Sequence, residues 1–440
     1  MNVLVAGDAE FKRSISEILA RLKIRIVAEN DPARLFAALR SKKIDLVVVD
    51  QDAFDGAAAW RRVLAVLKKA GARFIVLSSK KDRAAVLEAR RFGSADYITK
   101  PFNHREFIMR FHAVSQKKTR IACIGGGTGL FTLLLGLKTL PNSLLISIVN
   151  MSDDGGSSGK LSQTFGILPP GDIRRSLVAL SNAPDLMNQI IQFRFEKRGE
   201  LYGHSFGNIF LTVLAEVKGS ISEAVRALAD ILNIQGIVLP ATRTLTTLVA
   251  KFEDGTVVRG ESRIDLCEGR DPETHVAKLW HDPVPECDID AFASIVNADV
   301  VTIGPGDLFT SIVTTLMVPY IREAVVATSA KKIYICNLMT KPGETARYDA
   351  PAHVAEIRKT LGRDHLDAVI VSNTRLSEES IFEYAKQRQM PVLPGALADM
   401  RRATKARVVL ADVGHETELV RHDSIKLMEE IRRLIERDGR

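Results

Sequence analysis

At 440 residues, with 46% apolar residues, 26% charged residues and a net charge of +8, the chain has the composition of a globular protein with two or three cores. No apolar run approaches the roughly 18 residues of a membrane span, and the stretch Met1–Asp8 reads as a buried strand rather than a secretory signal. Four cysteines without a CxxC pair, and no HExxH, exclude a disulfide framework and structural zinc, so a cytoplasmic location without a membrane partner is expected.

Short apolar runs alternate with amphipathic segments over the first hundred residues. Strands are predicted at Val3–Ala6, Ile24–Ala28, Leu46–Val49, Phe74–Leu77 and Asp96–Ile98. Helices are predicted at Glu10–Leu22, Pro32–Arg40 and about Arg105–Val114. This alternation implies a parallel sheet covered on both faces. Residues 1–118 carry 24 Lys and Arg against 13 Asp and Glu, a surplus of 11, so the remainder is net acidic. A solvated basic surface accounts for the surplus, because no aromatic interleaving or DNA-binding motif accompanies it, and nucleic acid is not an expected partner.

Ligands of such sheets sit beyond the carboxyl ends of the strands. The residues there are Asp8, Asp50, Ser78 and Lys100. Two carboxylates, Asp8 and Asp50, suit Mg²⁺, and a hydroxyl and an ammonium suit an incoming phosphoryl group. The set resembles the receiver domain of response regulators, a flavodoxin-like fold, over residues 1–114. The resemblance makes Asp50 the phosphoacceptor, with Ser78 the switch hydroxyl, Lys100 the lysine before proline, and a histidine kinase or another protein as partner. Receivers usually carry two adjacent acids after the first strand, and Gly7-Asp8 stands here, which weakens Mg²⁺ binding. The polar link Ser115–Thr119 puts the domain boundary at 116/117, giving domains 1–116 and 117–440.

Strand Arg120–Ile124 runs into Gly125, Gly126, Gly127, Thr128 and Gly129, and a helix is predicted at Phe131–Leu140. Strand, glycine loop and helix present backbone N–H groups to an anion. The spacing G-x-G-x-G is a phosphate signal and argues against a nicotinamide oxidoreductase. Strand Leu144–Asn150 leads to Asp153, Asp154, Gly155, Gly156, Ser157 and Ser158, a carboxylate pair beside a glycine loop that suits a divalent metal or ribose hydroxyls. In Pro169–Arg175, Asp172 is expected to cap a helix, and Arg174 to pair with Asp153, Asp154 or a phosphate. His204 and Asn208 lie at the start of an apolar helix over Ile209–Val217. Strand Val300–Ile303 ends in Gly304, Gly306, Asp307, Thr310 and Ser311; strand Ile333–Cys336 leads to Asn337, Thr340, Gly343, Glu344, Thr345 and, further on, Tyr348. Four polar loops beyond strand ends argue for one composite ligand site.

The ordered motifs GGGTGL, DDGGSSG, PPGDIR, GHSFGNIFL, GPGDLFTS and NLMTKPGET resemble the gluconeogenesis-factor family, the YvcK-like group, related to the phospholactyl transferase CofD of deazaflavin coenzyme biosynthesis. The resemblance runs from about residue 120 to the end. It implies a Rossmann-like parallel-sheet domain that binds a UDP-sugar such as UDP-N-acetylglucosamine. It also implies a regulatory role in cell-wall precursor supply and cell shape. The diphosphate would lie on Gly125–Gly129, the nucleotide or sugar near Asn337–Thr345, with Tyr348 as a stacking face. In the transferase relatives, the acids matching Asp153 and Asp154 lie at the reacting phosphate. Ser162, Phe309 and Lys341 depart from the family's usual Arg, Tyr and Gln. Two readings stay open: a binding regulator without catalysis, coupled to its receiver, and a metal-dependent 2-phospho-L-lactate transferase type, with Asp153, Asp154 and Arg174 catalytic and Mg²⁺ as cofactor. Partners implied are a nucleotide-sugar or phosphorylated small molecule and a second copy of the chain.

Overall fold

The computed structural model describes residues 1–436 apart from 21, 23, 30, 31, 42, 198 and 268. The chain divides into two compact units, Met1–Arg120 with 142–144 and 289–298, and the remainder.

The first unit is built on strands β1 (Asn2–Ala6), β2 (Arg25–Glu29), β3 (Leu46–Asp50), β4 (Phe74–Ser78) and β5 (Asp96–Thr99), all parallel, in the order β2-β1-β3-β4-β5. Strands β1, β3 and β4 read as near-continuous Val, Leu and Ile because both faces are covered. Five helices connect or follow them: Ala9–Ala20, Pro32–Ser41, Gly56–Lys69, Arg83–Arg91 and His104–Ser115. The predicted strands hold to within one residue at either end. The predicted first helix ends earlier, at Ala20.

A sixth helix, Ile289–Val296, belongs to this unit although it comes from far along the chain. It is tied to β5 and the helix after it by polar contacts. Thr99 Oγ1 donates to Asp290 Oδ1 (2.6 Å), and Arg110 donates to Ser294 Oγ (2.8 Å). Arg110 is 1% exposed and also holds Glu106 (2.9 Å) and Asp96 (3.3 Å). A buried guanidinium with this many acceptors pins the elements that supply them.

The second unit is organised by a seven-stranded parallel sheet. Its strands are β6 (Thr119–Gly125), β7 (Ser143–Val149) and β8 (Ile237–Pro240), then, past a small antiparallel sheet of β9 (Thr247–Phe252), β10 (Val257–Arg259) and β11 (Val276–Asp282), β12 (Val300–Ile303), β13 (Lys331–Ile335), β14 (Ala368–Ser372) and β15 (Arg407–Ala411). A hairpin of β16 (Gly414–Glu416) and β17 (Val420–His422) follows. The large sheet runs β15-β14-β13-β12-β6-β7-β8. The chain therefore builds to one side from β6 through β8, then to the other from β12. Strands β6 and β12 are hydrogen-bonded neighbours from Val300–Ile121 to Ile303–Ile124. That reversal of strand order opens a crevice beyond the carboxyl ends of β6 and β12. Among the described residues, no single helix is long and apolar enough to cross a membrane.

Candidate functional site

In the first unit the expected acceptor pocket assembles at the ends of β3, β4 and β5. Asp50 is 2% exposed, and its Oδ1 accepts from Lys100 Nζ at 2.6 Å and from the Asp52 N–H at 3.0 Å. Burial raises its carboxyl above the usual range, against Lys100. The Ser78 hydroxyl donates to Asp52 Oδ1 at 3.0 Å. The expected role of Asp8 as a Mg²⁺ ligand fares differently: its Oδ1 caps the first helix by accepting from the Phe11 N–H at 2.8 Å. A side chain at Gly7 would overlap the Phe11 ring and stand 3.0 Å from Asp50 Cβ, so the second acid usual in receivers has no room.

In the second unit the glycine motif forms the start of a helix. Helix Gly127–Leu137 begins four residues ahead of its predicted position, with Gly126 as cap. Gly127 has φ +64°, which a glycine adopts without cost. At Gly129 a Cβ would meet the Pro305 carbonyl oxygen at 2.5 Å, so only glycine lets the helix approach the turn after β12 this closely. The first turn of a helix carries N–H groups without intrahelical acceptors and a positive partial charge. Here it borders a cavity of about 330 Å³. Thr128, Gly129 and Thr132 form one wall. Pro305–Asp307 beyond β12, Asn337–Lys341 beyond β13, and Val420–His422 of the hairpin form the others. Asn337 Nδ2 donates to the Gly306 carbonyl (2.8 Å), fixing two of these loops to each other, and its buried Oδ1 has no partner among the described residues.

Across the Gly126–Gly127 backbone lies a second cluster. Asp172 was expected to cap a helix. Instead it sits in the first turn of helix Gly171–Leu180, where its Oδ2 accepts from the Gly127 N–H at 2.8 Å and its Oδ1 pairs with Arg175 at 3.1 Å. Asp153 accepts from the Gly155 N–H (3.0 Å) and Asp154 from the Ser262 N–H (2.8 Å). Ser157 and Ser158 begin helix Gly156–Phe165 and accept from Asn208 Nδ2 at 3.2 and 3.4 Å. Ser157 Oγ also meets His204 Nδ1 at 3.2 Å. His204 and Asn208 thus flank the start of a helix at Phe206–Lys218, three residues ahead of its predicted start.

Of the pairings expected for Arg174, those with Asp153 and Asp154 are not among its contacts within the described residues, which leaves the phosphate. Arg174 is 7% exposed, and its Nε has no hydrogen-bond partner among the described residues. Burial, then Arg175 and Arg194, bring its guanidinium down to about 10.

Glu261, on a short helix Glu261–Asp265, accepts from Ser152 Oγ (2.8 Å) and Asn150 Nδ2 (3.1 Å). Burial, then Asp153 and Asp172, hold its carboxyl well above the ordinary range. Burial likewise raises Asp153 and Asp172. Charge is crowded here, yet Asp153 and Asp154 are both turned to backbone donors. Among the described residues no group of three His, Cys, Asp or Glu is placed to hold a metal ion.

At the rim, Lys341 pairs with Asp265, with Asp307 (2.8 Å) and with Glu344 (3.5 Å). A π turn over Leu308–Val313 carries Thr310, whose hydroxyl donates to Glu344 Oε1 at 3.3 Å, and Ser311, which is buried. Glu344 is fully buried, and that burial pushes it up to about 8, against Lys341 and with Asp307 and Asp265. Thr345 Oγ1 accepts from the Lys341 N–H (2.9 Å), and Gly343 turns at φ +72°. Tyr348 stands outside the 330 Å³ cavity, in a ring cluster with His275 (5.0 Å), His353 (5.6 Å) and Phe309 (6.5 Å).

Sequence reasoning passed over Glu261 and Asp265, which lie in a stretch with no motif. It also passed over Asn150, although that residue directly precedes the acidic loop and bridges it to the Thr310 carbonyl (3.1 Å).

A family model described as 2-phospho-L-lactate transferase CofD matches residues 121–413. One described as a response regulator receiver domain matches residues 3–112. The chain is similar to the gluconeogenesis factor of Bacillus subtilis, 39% identical over 311 residues that cover 71% of this chain and 96% of that protein. The gluconeogenesis factor of Halalkalibacterium halodurans is 40% identical over 277 residues, 63% of this chain and 84% of that one. A crystal structure of a UPF0052-family protein from Bacillus halodurans superposes with a TM-score of 0.68 at 36% identity, covering 71% of this chain and 99% of that one.

Proposed function

From a chain that belongs to the CofD family, in its gluconeogenesis-factor group and with a receiver domain over residues 3–112, we propose a cytoplasmic regulator whose second unit binds a UDP-sugar of the UDP-N-acetylglucosamine type. One observation carries this reading. Two loops from separate strand ends, after β12 and β13, and strand β17 of the hairpin meet the first turn of helix Gly127–Leu137 around one cavity at the strand-order reversal. The diphosphate lies against Thr128 and Gly129, and the remainder of the ligand extends toward Asn337–Lys341. The role follows that of the similar gluconeogenesis factors, carried here to cell-wall precursor supply and cell shape.

Titration calorimetry with UDP-N-acetylglucosamine tests this. Saturable heat that disappears in Asn337→Ala supports it, and the absence of heat and of any thermal shift at millimolar ligand removes it.

A second reading, a transferase acting between a nucleotide-linked donor and an acceptor, draws on the crowded carboxylates Asp153, Asp172 and Glu261 and on Arg174, whose buried Nε has no partner among the described residues. Product formation from nucleotide-linked donors, assayed with and without Mg²⁺ and lost in Asp154→Asn, would favour it over pure binding.

A further inference from the structure

The acceptor pocket of the first unit contains an anion that no phosphoryl donor supplied. Asp52, two residues beyond Asp50, extends its carboxylate over the donors that an incoming phosphoryl group would need. Its Oδ1 accepts from the Ser78 hydroxyl at 3.0 Å. Its Oδ2 accepts from the Ser79 N–H at 2.8 Å and lies 3.2 Å from Lys100 Nζ. The Lys80 N–H then donates to Ser78 Oγ at 3.1 Å, so the loop after β4 closes around the same carboxylate. Lys100 completes the arrangement by holding Asp50 at 2.6 Å and lying 5.0 Å from the centre of the Phe11 ring.

The geometry has a local cause. Asp50 accepts from the Asp52 N–H and starts a short 3-10 turn, Gln51–Ala53. That tight turn carries the Asp52 side chain back over the end of β4. There its two oxygens meet three donors, the Ser78 hydroxyl, the Ser79 N–H and Lys100 Nζ.

We propose that Asp52 is a built-in counterpart of the phosphoryl group, which keeps the switch donors Ser78, Ser79 and Lys100 in their anion-bound arrangement in the unmodified chain. Two further features agree. Phe11 fills the space that the second acid of a receiver would use, and Asp8 is turned to capping. With Gly7 in place of one acid and one Asp8 oxygen given to the helix cap, this end of the sheet offers fewer carboxylate oxygens to Mg²⁺ than a receiver with two adjacent acids. The receiver acts as a fixed module. The helix Ile289–Val296, bonded to Thr99 directly before Lys100, is held in one position by it.

The test uses amide hydrogen exchange in the full chain, with beryllofluoride plus Mg²⁺ as the phosphoryl analogue. In the native chain, exchange at Ser79 and Lys80 is slow and does not change on adding beryllofluoride. In Asp52→Ala it becomes at least about tenfold faster, the loss expected when charge-assisted bonds are removed. Asp52→Asn, which keeps the side-chain volume and one acceptor, shows an intermediate rate and guards against a folding defect. The proposal is overturned if beryllofluoride slows these amides in the native chain by a comparable factor. It is equally overturned if both variants exchange like the native chain.

Discussion

The two sites of this protein treat charge in opposite ways. In the first unit the donors of the acceptor pocket are answered from within: Lys100 and Ser78 are held by Asp50 and Asp52. Arg110, deeper in the same unit, is answered by Asp96, Glu106 and Ser294. In the second unit several polar atoms near the glycine motif are buried without an answer. Arg174 Nε, Asn208 Oδ1 and Asn337 Oδ1 are buried without partners among the described residues, and a helix start borders an open cavity. A buried polar group without a partner is costly unless something else answers it. Under the proposed function, the difference separates a site that holds its own shape from one that receives a ligand.

Removing the internal answer breaks the comparison most severely. Arg110→Ala leaves Asp96 and Glu106 buried without a cation, and should cost about 3–5 kcal/mol. Denaturant melts of the full chain should show the first unit unfolding at lower denaturant while binding by the second unit is retained. A melt that shifts by less than 1 kcal/mol would show that the network is not what closes this unit.

Filling the open site gives the next largest effect. Gly129→Ala forces a Cβ against the Pro305 carbonyl at 2.5 Å and the Gly306 nitrogen at 2.9 Å, both backbone atoms. A cost of about 1–3 kcal/mol in stability is expected, together with loss of calorimetric heat with UDP-N-acetylglucosamine. Retained affinity would move the ligand away from this helix start.

The smallest effect is a pH dependence at the rim. Glu344 titrates at about 8 in the fold, well above its ordinary value of 4.5. The native state therefore keeps a proton that the unfolded chain releases. The corresponding stability is present below about pH 4.5 and is lost as pH rises toward 8. Glu344→Gln should flatten this slope, read as thermal midpoints between pH 5 and pH 8. An unchanged slope would mean that Lys341 holds Glu344 ionised throughout.

How much of this was legible in the sequence varies by region. The strands announce themselves, because a sheet covered on both faces needs apolar residues in unbroken runs, and Val3–Ala6, Leu46–Val49 and Phe74–Leu77 are such runs. The glycine motif was readable as an anion loop, since few other functions need three glycines between a buried strand and a helix. Its exact place was not, because glycine permits both a loop and the first turn of a helix, and the choice fell to the close approach of the Pro305 turn.

What the amino-acid order determined by itself is the two parallel-sheet units, the polar residues at the ends of β3 to β5, and the loops after β6, β12 and β13 that border the cavity. These follow from period, turn chemistry and the rule that ligands gather beyond strand ends. Tertiary structure alone decided that Asp52 takes the Ser78 hydroxyl, that Phe11 displaces a second acid, that Glu261 joins the acidic cluster, and that helix Ile289–Val296 belongs with the first unit. Each depends on contacts between residues distant in the chain or on the path of a tight turn, and no local pattern encodes which side chain will reach a given donor first.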